Sequence, residues 1–332
     1  MDDSPHGALE RLATHGRRGF PHLLAARART SRDLDEMQRR LRDVPLDAGA
    51  SVVLMGSWGR RERTAGSDDD FLILLDGAER DGARPAVTDV GGVLGVGEAK
   101  PGTQDVFGVQ VFVDELVGRI GLEHDSNANL TRRMLLLLES LPVVGATAYR
   151  DAFSRVVDGY VAGQAKDYRP PRFLLNDLIR YWRTICVDFA GKERESERKW
   201  GLRNAKLRLN RKLLFAGGLI PVLRCHQHRR DAQRTFLLDE LAAPPTDRLA
   251  AAFLAYGAVD TGLRALGAYD RWIGLLGDPE IRQHLEALTR TAAADDPTFD
   301  EVRRLAREFE RGLVALLFET DLGPLAREFV VF

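Results

Sequence analysis

Two cysteines among 332 residues, Cys186 and Cys225, are too few for a disulfide framework or a cysteine-built zinc site. A reducing cytoplasmic compartment is the expectation. Long apolar runs are missing too. The longest, such as Met134–Leu138, fall far below the ~20 residues that a membrane-spanning helix needs. The opening MDDSPHGALE is polar and acidic and does not read as a secretory leader. Nor is there an excess of either charge: 48 Lys and Arg against 49 Asp and Glu leave a net −1, which argues against binding long nucleic acid. The spread is uneven, since Lys192–Arg230 is heavily basic. His226 and His228 in that stretch have no neighbouring carboxylate or cysteine to complete a metal site. No repeat or low-complexity tract is present.

What is present concentrates in Ser51–Asp76, SVVLMGSWGRRERTAGSDDDFLILLD. An apolar run, Val52–Met55, stops at Gly56-Ser57. Ser67-Asp68-Asp69-Asp70 then opens a second run, Phe71–Leu75. Both runs are short, apolar and bounded by turn signals, so each predicts a buried strand. Along a strand, side chains two apart share a face, which puts Asp68 and Asp70 together and Asp69 opposite. Two like charges that close repel unless a cation lies between them. Magnesium suits the place, because it takes oxygen ligands and commonly uses one or two carboxylates together with substrate phosphates. Gly56 lets the backbone turn sharply and a phosphate come close. Ser57 is then expected to cap a short helical segment through Trp58–Glu62, its hydroxyl and the free N–H groups facing the same anion. Of Arg60 and Arg61, Arg60 is the candidate for a phosphate contact, and Glu62 is expected to pair with an arginine and hold the loop. A Gly-Ser turn alone is common, and so is a lone DxD at a loop edge. The two together, in this order and flanked by strands, point to nucleotidyl transfer.

Gly56-Ser57-Trp58-Gly59-Arg60-Arg61-Glu62 followed by Ser67-Asp68-Asp69-Asp70 resembles the signature of the nucleotidyltransferase superfamily that includes DNA polymerase β. It is most similar to the transferase half of the PII uridylyltransferases and related small bacterial nucleotidyltransferases. The likeness is strong over Ser51–Leu75 and weaker over Asp114–Gly145. It implies that Gly56 and Ser57 hold an NTP's triphosphate and that Asp68 and Asp70 bind a two-metal magnesium site. It also implies a third carboxylate on a later strand, which helps deprotonate the acceptor hydroxyl. The expected strand is Val106–Val113, with Asp105 at its start, Gln110 in its middle and Asp114 at its end. Asp105 is the favoured candidate; Gln110 in that position would mean a weakened second metal. A second departure is Asp69, where such enzymes carry an apolar residue. It needs a partner or a solvent-facing edge. His124-Asp125 has no companion histidine motif and reads as a loop rather than a phosphohydrolase site.

The expected fold class is α+β: N-terminal helices (1–48), a small mixed-sheet catalytic head (49–125), and an all-helical bundle (126–332) that binds substrate. Gly77–Gly102 is expected as a loop around a short strand, and its Gly91, Gly92, Gly95 and Gly97 lack the strand-turn-helix order of a dinucleotide site. Later helices are expected over Leu130–Ser140, Tyr149–Ala162, Phe173–Phe189, Trp200–Ala216, Asp231–Leu241, Asp247–Leu266, Tyr269–Thr291 and Phe299–Leu317. Turns are expected at Pro142–Gly145 and Gly217-Gly218. A wall of cations should face the metals. Arg180 and Arg183 share one helix face, and beside the Leu202, Leu209, Leu213 stripe run two polar lines: Arg203, Lys206 and Asn210, and Arg208, Arg211 and Lys212. Arg203 or Lys206 is the candidate phosphate ligand; the competing reading is a solvated face, or arginines paired with acids such as Asp177 and Asp188. The reaction expected is attack of an acceptor hydroxyl, preferably on a protein side chain, at the α-phosphate of an NTP with loss of pyrophosphate. The rival is a nucleotide-sensing or interaction module that binds NTP without turnover.

Overall fold

The computed structural model describes residues 4–17, 19–47, 49–78, 87–94, 106–162 and 166–331. Its sheet has four strands: β1 (Ala50–Met55), β2 (Phe71–Leu75), β3 (Val109–Phe112) and β4 (Ser140–Val144). They lie in the order β3-β2-β1-β4, with β1 antiparallel to β2 and β4, and β2 parallel to β3. The runs at β1 and β2 are continuously apolar because both faces of the sheet are covered. Val53, Met55, Leu72 and Leu74 enter the main core shared with the helices, while Val52, Leu54, Phe71 and Ile73 close a smaller core with Trp58, Met37 and Val90. The architecture is α+β, a small mixed sheet with a helical region after it.

Before the sheet come α1 (Ala8–Ala13) and α2 (Pro21–Leu41). Between β2 and β4 lie α3 (Val87–Leu94), α4 (Val113–Val117) and α5 (Asn127–Leu138). The expected loop over Gly77–Gly102 is thus partly helical: Gly91 and Gly92 fall within α3, while Gly95 and Gly97 lie outside the described residues. Of the expected turn at Pro142–Gly145, residues 142–144 belong to strand β4, and Gly145, with φ 74°, turns the chain out of it. Pro142 is tolerated there because β4 is an edge strand, where a missing N–H costs no ladder bond.

The rest is helical: α6 (Ala146–Val161), α7 (Arg172–Glu195), α8 (Trp200–Lys206), α9 (Lys212–Arg224), α10 (Arg230–Ala242), α11 (Pro245–Ala255), α12 (Val259–Gly277), α13 (Pro279–Ala287), α14 (Pro297–Phe318) and α15 (Gly323–Ala326). Gly217-Gly218 does not break a helix. Both lie inside α9, where a Cβ on Gly218 would sit 2.6 Å from Leu138 and one on Gly217 3.0 Å from Pro245. They permit close helix packing rather than a turn. The N-terminal helices are anchored on the bundle: Leu9 N–H donates to Asp247 and Leu23 N–H to Asp270. No helix among the described residues is long and apolar enough to cross a membrane.

A buried ion cluster joins α5, α6 and α7. Arg133 donates to Tyr160 Oη at 2.9 Å, to Asp125 and to Asp177, and Tyr160 donates to Asp177 at 2.6 Å. Asp125 lies in a loop, and its carboxylate serves this cluster.

Candidate active site

The turn after β1 is built by close backbone approach. Gly56 takes φ 68°, the left-handed region that glycine enters without strain. Met55 N–H donates to the Asp70 carbonyl at 2.9 Å, which pins the turn beside the entry to β2. Arg60 N–H donates to the Gly56 carbonyl and Glu62 N–H to that of Ser57, at 3.1 and 2.8 Å. The segment Trp58–Glu62 is therefore a closed turn and not the short helix expected after Ser57. Gly59 is needed for a different reason than Gly56: a Cβ there would lie 1.9 Å from the Glu139 carbonyl carbon, so the turn rests directly on the backbone leading into β4.

Asp70 Oδ2 is 3.9 Å from the position a Cβ would take on Gly56, so carboxylate and bend are neighbours. Burial first, and then the Asp68 charge, push the Asp70 carboxyl up to about 6; Arg211 and Lys206 pull the other way. The Asp68 charge is therefore near enough to act on Asp70. Among the described residues, neither side chain has a hydrogen-bond or ion-pair partner. Asp69 points away and is satisfied: it accepts from Trp58 Nε1 at 2.9 Å and from Arg63, which stacks over Trp58 and also donates to Asp33. The residue that departs from the expected apolar pattern thus acts as a brace behind the pair.

The facing wall comes from the helix that opens as α8. Its continuation, Leu207–Arg211, is a π segment before α9 resumes. The wider π turn brings residues five apart nearer to one face, as a regular α-helix would not. Lys206 and Arg211, assigned to separate lines on a regular helix, both act on the aspartates: Lys206 interacts with Asp68 and Arg211 with Asp70. Burial, and next the charge of Arg282, push the Lys206 ammonium down to about 8, while Asp68 works to keep it charged. Arg282 reaches in from α13 and covers Gly66, where a Cβ would lie 2.6 Å from its Nε.

Two predicted phosphate ligands are placed elsewhere. Arg203 donates to the carbonyls of Ser196 and Arg198 and so ties down the loop before α8. Arg60 is buried and already neutralised, with Nε on Glu62 at 2.9 Å and Nη1 on Glu139. Burial opposes its charge, but Glu139 and Glu62 outweigh that and hold its pKa above the ordinary value. Arg180 and Arg183 do not belong to this wall by any contact; Arg180 pairs with Asp177. Asp105 lies outside the described residues. Gln110 is on the wrong face: it is level with Ile73, in the smaller core, whereas its neighbours Val109 and Val111 share the face of Leu72 and Leu74. Asp114 pairs with Arg155.

Sequence reasoning gave no role to Glu139 or, as a site group, to Arg211. Glu139 is buried between α5 and β4 and accepts from both Arg60 and Arg211, the latter at 2.9 Å. From Arg60 the chain of bonds continues through Glu62 to Tyr269 (2.8 Å), Asn210 (2.9 Å) and Trp272 (2.9 Å). It fastens the Gly56–Glu62 turn to α12 and to the π segment. The only signal in the sequence was a charged residue closing the apolar run Met134–Leu138, which by itself specifies nothing.

Among the described residues, no group of three or more His, Cys, Asp or Glu side chains is placed to hold a metal ion. A magnesium ion that takes part of its oxygens from substrate phosphates commonly uses only one or two carboxylates. No protein-family model matches the chain, no curated protein matches it, and no solved structure matches its fold.

Proposed function

We propose that the chain is a magnesium-dependent nucleotidyltransferase that moves an NMP group from an NTP to an acceptor hydroxyl and releases pyrophosphate. One observation carries the reading. Among the described residues Asp68 and Asp70 have no hydrogen-bond or ion-pair partner, Asp70 lies beside the Gly56-Ser57 bend, and the charges of Lys206 and Arg211 act on the pair. Half-buried Asp70, beside the charge of exposed Asp68, is costly to ionise unless a cation completes the pair. Asp68 and Asp70 would hold magnesium, with Asp105 as the proposed third ligand; when bound, the metal supplies charge neutralisation for the triphosphate during displacement. Gly56 and Ser57 bind the β- and γ-phosphates through backbone N–H groups and the serine hydroxyl. Lys206, with Arg282 beside it, meets the same phosphates, and Arg211 meets the α-phosphate next to Asp70. In the step itself, the acceptor oxygen forms a bond to the α-phosphorus. The bond to the bridging oxygen breaks, and its electron pair leaves with pyrophosphate. The acceptor proton passes to a carboxylate, for which Asp105 is the candidate. The acceptor favoured by the family likeness is a protein side chain.

The second reading, a nucleotide-binding module without turnover, is favoured by the described residues: Glu139 acts on Asp70 but is bonded to Arg60 and Arg211, and no third acid joins Asp68 and Asp70 in a metal-holding group. One assay separates them. The protein is incubated with magnesium and each α-labelled NTP, with and without cell extract, and pyrophosphate and transferred label are measured. The enzyme reading expects both, and expects Asp68→Asn/Asp70→Asn to lose them by at least about a thousandfold. Equal output from wild type and variant would refute it, and binding without pyrophosphate would favour the module.

A further inference from the structure

A cavity of about 280 Å³ opens between α5, α7 and the lead-in to β3, and Arg211 forms one of its walls. We infer that this cavity receives the acceptor, and that the acceptor presents its hydroxyl on a compact, largely apolar body about one ring in size. The inference rests on the nucleotidyltransferase reading and adds the substrate class to it.

The first argument is direction. The bend that would hold the β- and γ-phosphates follows β1, on one side of Asp70. The strand on the other side of β2 is β3. Its parallel register, Leu72 beside Val109, with Gly108 N–H donating to the Phe71 carbonyl at 2.8 Å, holds the lead-in to β3, with Phe107, beside the start of β2. In an in-line displacement, the entering oxygen and the departing pyrophosphate lie on opposite sides of the phosphorus. With pyrophosphate on the β1 side, the acceptor enters from the β3 side, where Phe107 lines the cavity.

The second argument is size and chemistry. The volume is at the bottom of the range for small-molecule pockets, roughly 300–1,000 Å³, so it admits a single group and not a polymer segment. Phe107, Leu135, Tyr181 and Ile185 give it apolar walls. Thr131, also in the lining, has a buried hydroxyl oxygen with no partner, free to bond a polar atom of the occupant. The Asp188–Lys192 ion pair, 2.7 Å apart and partly exposed, Thr184 and Arg211 make up the remaining polar lining. Lys192 and Arg211 already bond Asp188 and Glu139, and an unpaired charge on the occupant finds no counterpart among the apolar walls.

The test uses p-cresol, cyclohexylmethanol and glycerol as probes, with the full chain, magnesium and each common NTP as its non-hydrolysable α,β-imido analogue. Probe binding is followed by saturation-transfer NMR, and nucleotide binding by calorimetry. The two ring alcohols should bind saturably and at least about tenfold more tightly than glycerol. Ile185→Trp, which fills the cavity, should weaken them at least about tenfold while nucleotide affinity stays within about twofold. Thr131→Val, which keeps the shape and so guards against a folding failure of the larger substitution, should weaken p-cresol and leave its methyl ether unchanged. Gly-Tyr-Gly, compared with p-cresol, separates the two sources of one chemistry: equal binding assigns the group to a partner protein's side chain, and exclusion of the peptide to a free small molecule. Ring alcohols that fail to bind, or that bind equally to Ile185→Trp, would overturn the inference. A tenfold loss of nucleotide affinity in Ile185→Trp would overturn it too, by giving the cavity to the nucleoside. Failure of the underlying reading looks different: wild-type protein would bind no nucleotide with magnesium, whatever the alcohols do.

Discussion

Two groups of charges in this fold are treated in opposite ways. Behind the bend, Glu62, Arg60, Glu139 and Arg211 alternate in sign and bond to one another, and in the bundle Arg133 is enclosed by Asp125, Asp177 and Tyr160. At the front, exposed Asp68 and half-buried Asp70 have no such partners among the described residues, and burial, then the Asp68 charge, raises the Asp70 pKa to about 6. A fold able to neutralise the first group could have neutralised the second. The proposed function would account for the difference, the partner of the aspartates coming from outside the chain.

The comparison can be broken from the paired side. Arg133→Met should give the largest change, because it leaves Asp125 and Asp177 buried without their cation. Urea unfolding should show a loss of about 3–5 kcal/mol, with transfer activity per folded molecule retained. A loss under about 1 kcal/mol would mean that the cluster is not holding the bundle together. Gly59→Ala comes next. Its Cβ would lie 1.9 Å from the Glu139 carbonyl carbon, so the turn must lift off β4. The expected cost is about 1–3 kcal/mol in the same assay. Here activity should fall as well, because the displaced turn carries Ser57 away from Asp70. Unaltered activity would show that the bend need not be seated on Glu139.

Much of this was legible in the sequence. Strands β1 and β2 were legible as apolar runs with sharp ends, and the spacing pointed to the effect of Asp68 on Asp70, although both acids lie in the lead-in to β2 and not in the strand itself. The Asp69 brace was half legible: an acid at that position needed a partner, but Trp58 and Arg63 come to it only through the turn's tertiary shape. The wall was less so. Arg203 and Lys206 look equivalent on a regular helix, and only the π segment after Lys206 brings Arg211 round while Arg203 turns to the loop carbonyls. Glu139 was invisible because its role depends on two arginines 79 and 72 residues away in the chain. Pro142 and Gly217-Gly218 read as breaks because local propensity favours turns; an edge position and tight helix packing overrode it.

The most direct test is the melting temperature of wild type and Asp68→Asn/Asp70→Asn, measured alone and with magnesium plus each NTP. If the two acids exist for an external cation, the ligand-free variant melts at or above the wild-type temperature, since a repulsion has been removed. The rise produced by magnesium and NTP together should occur in wild type and vanish in the variant. A variant that melts several degrees lower without ligand, or that keeps the full rise with ligand, would contradict the account.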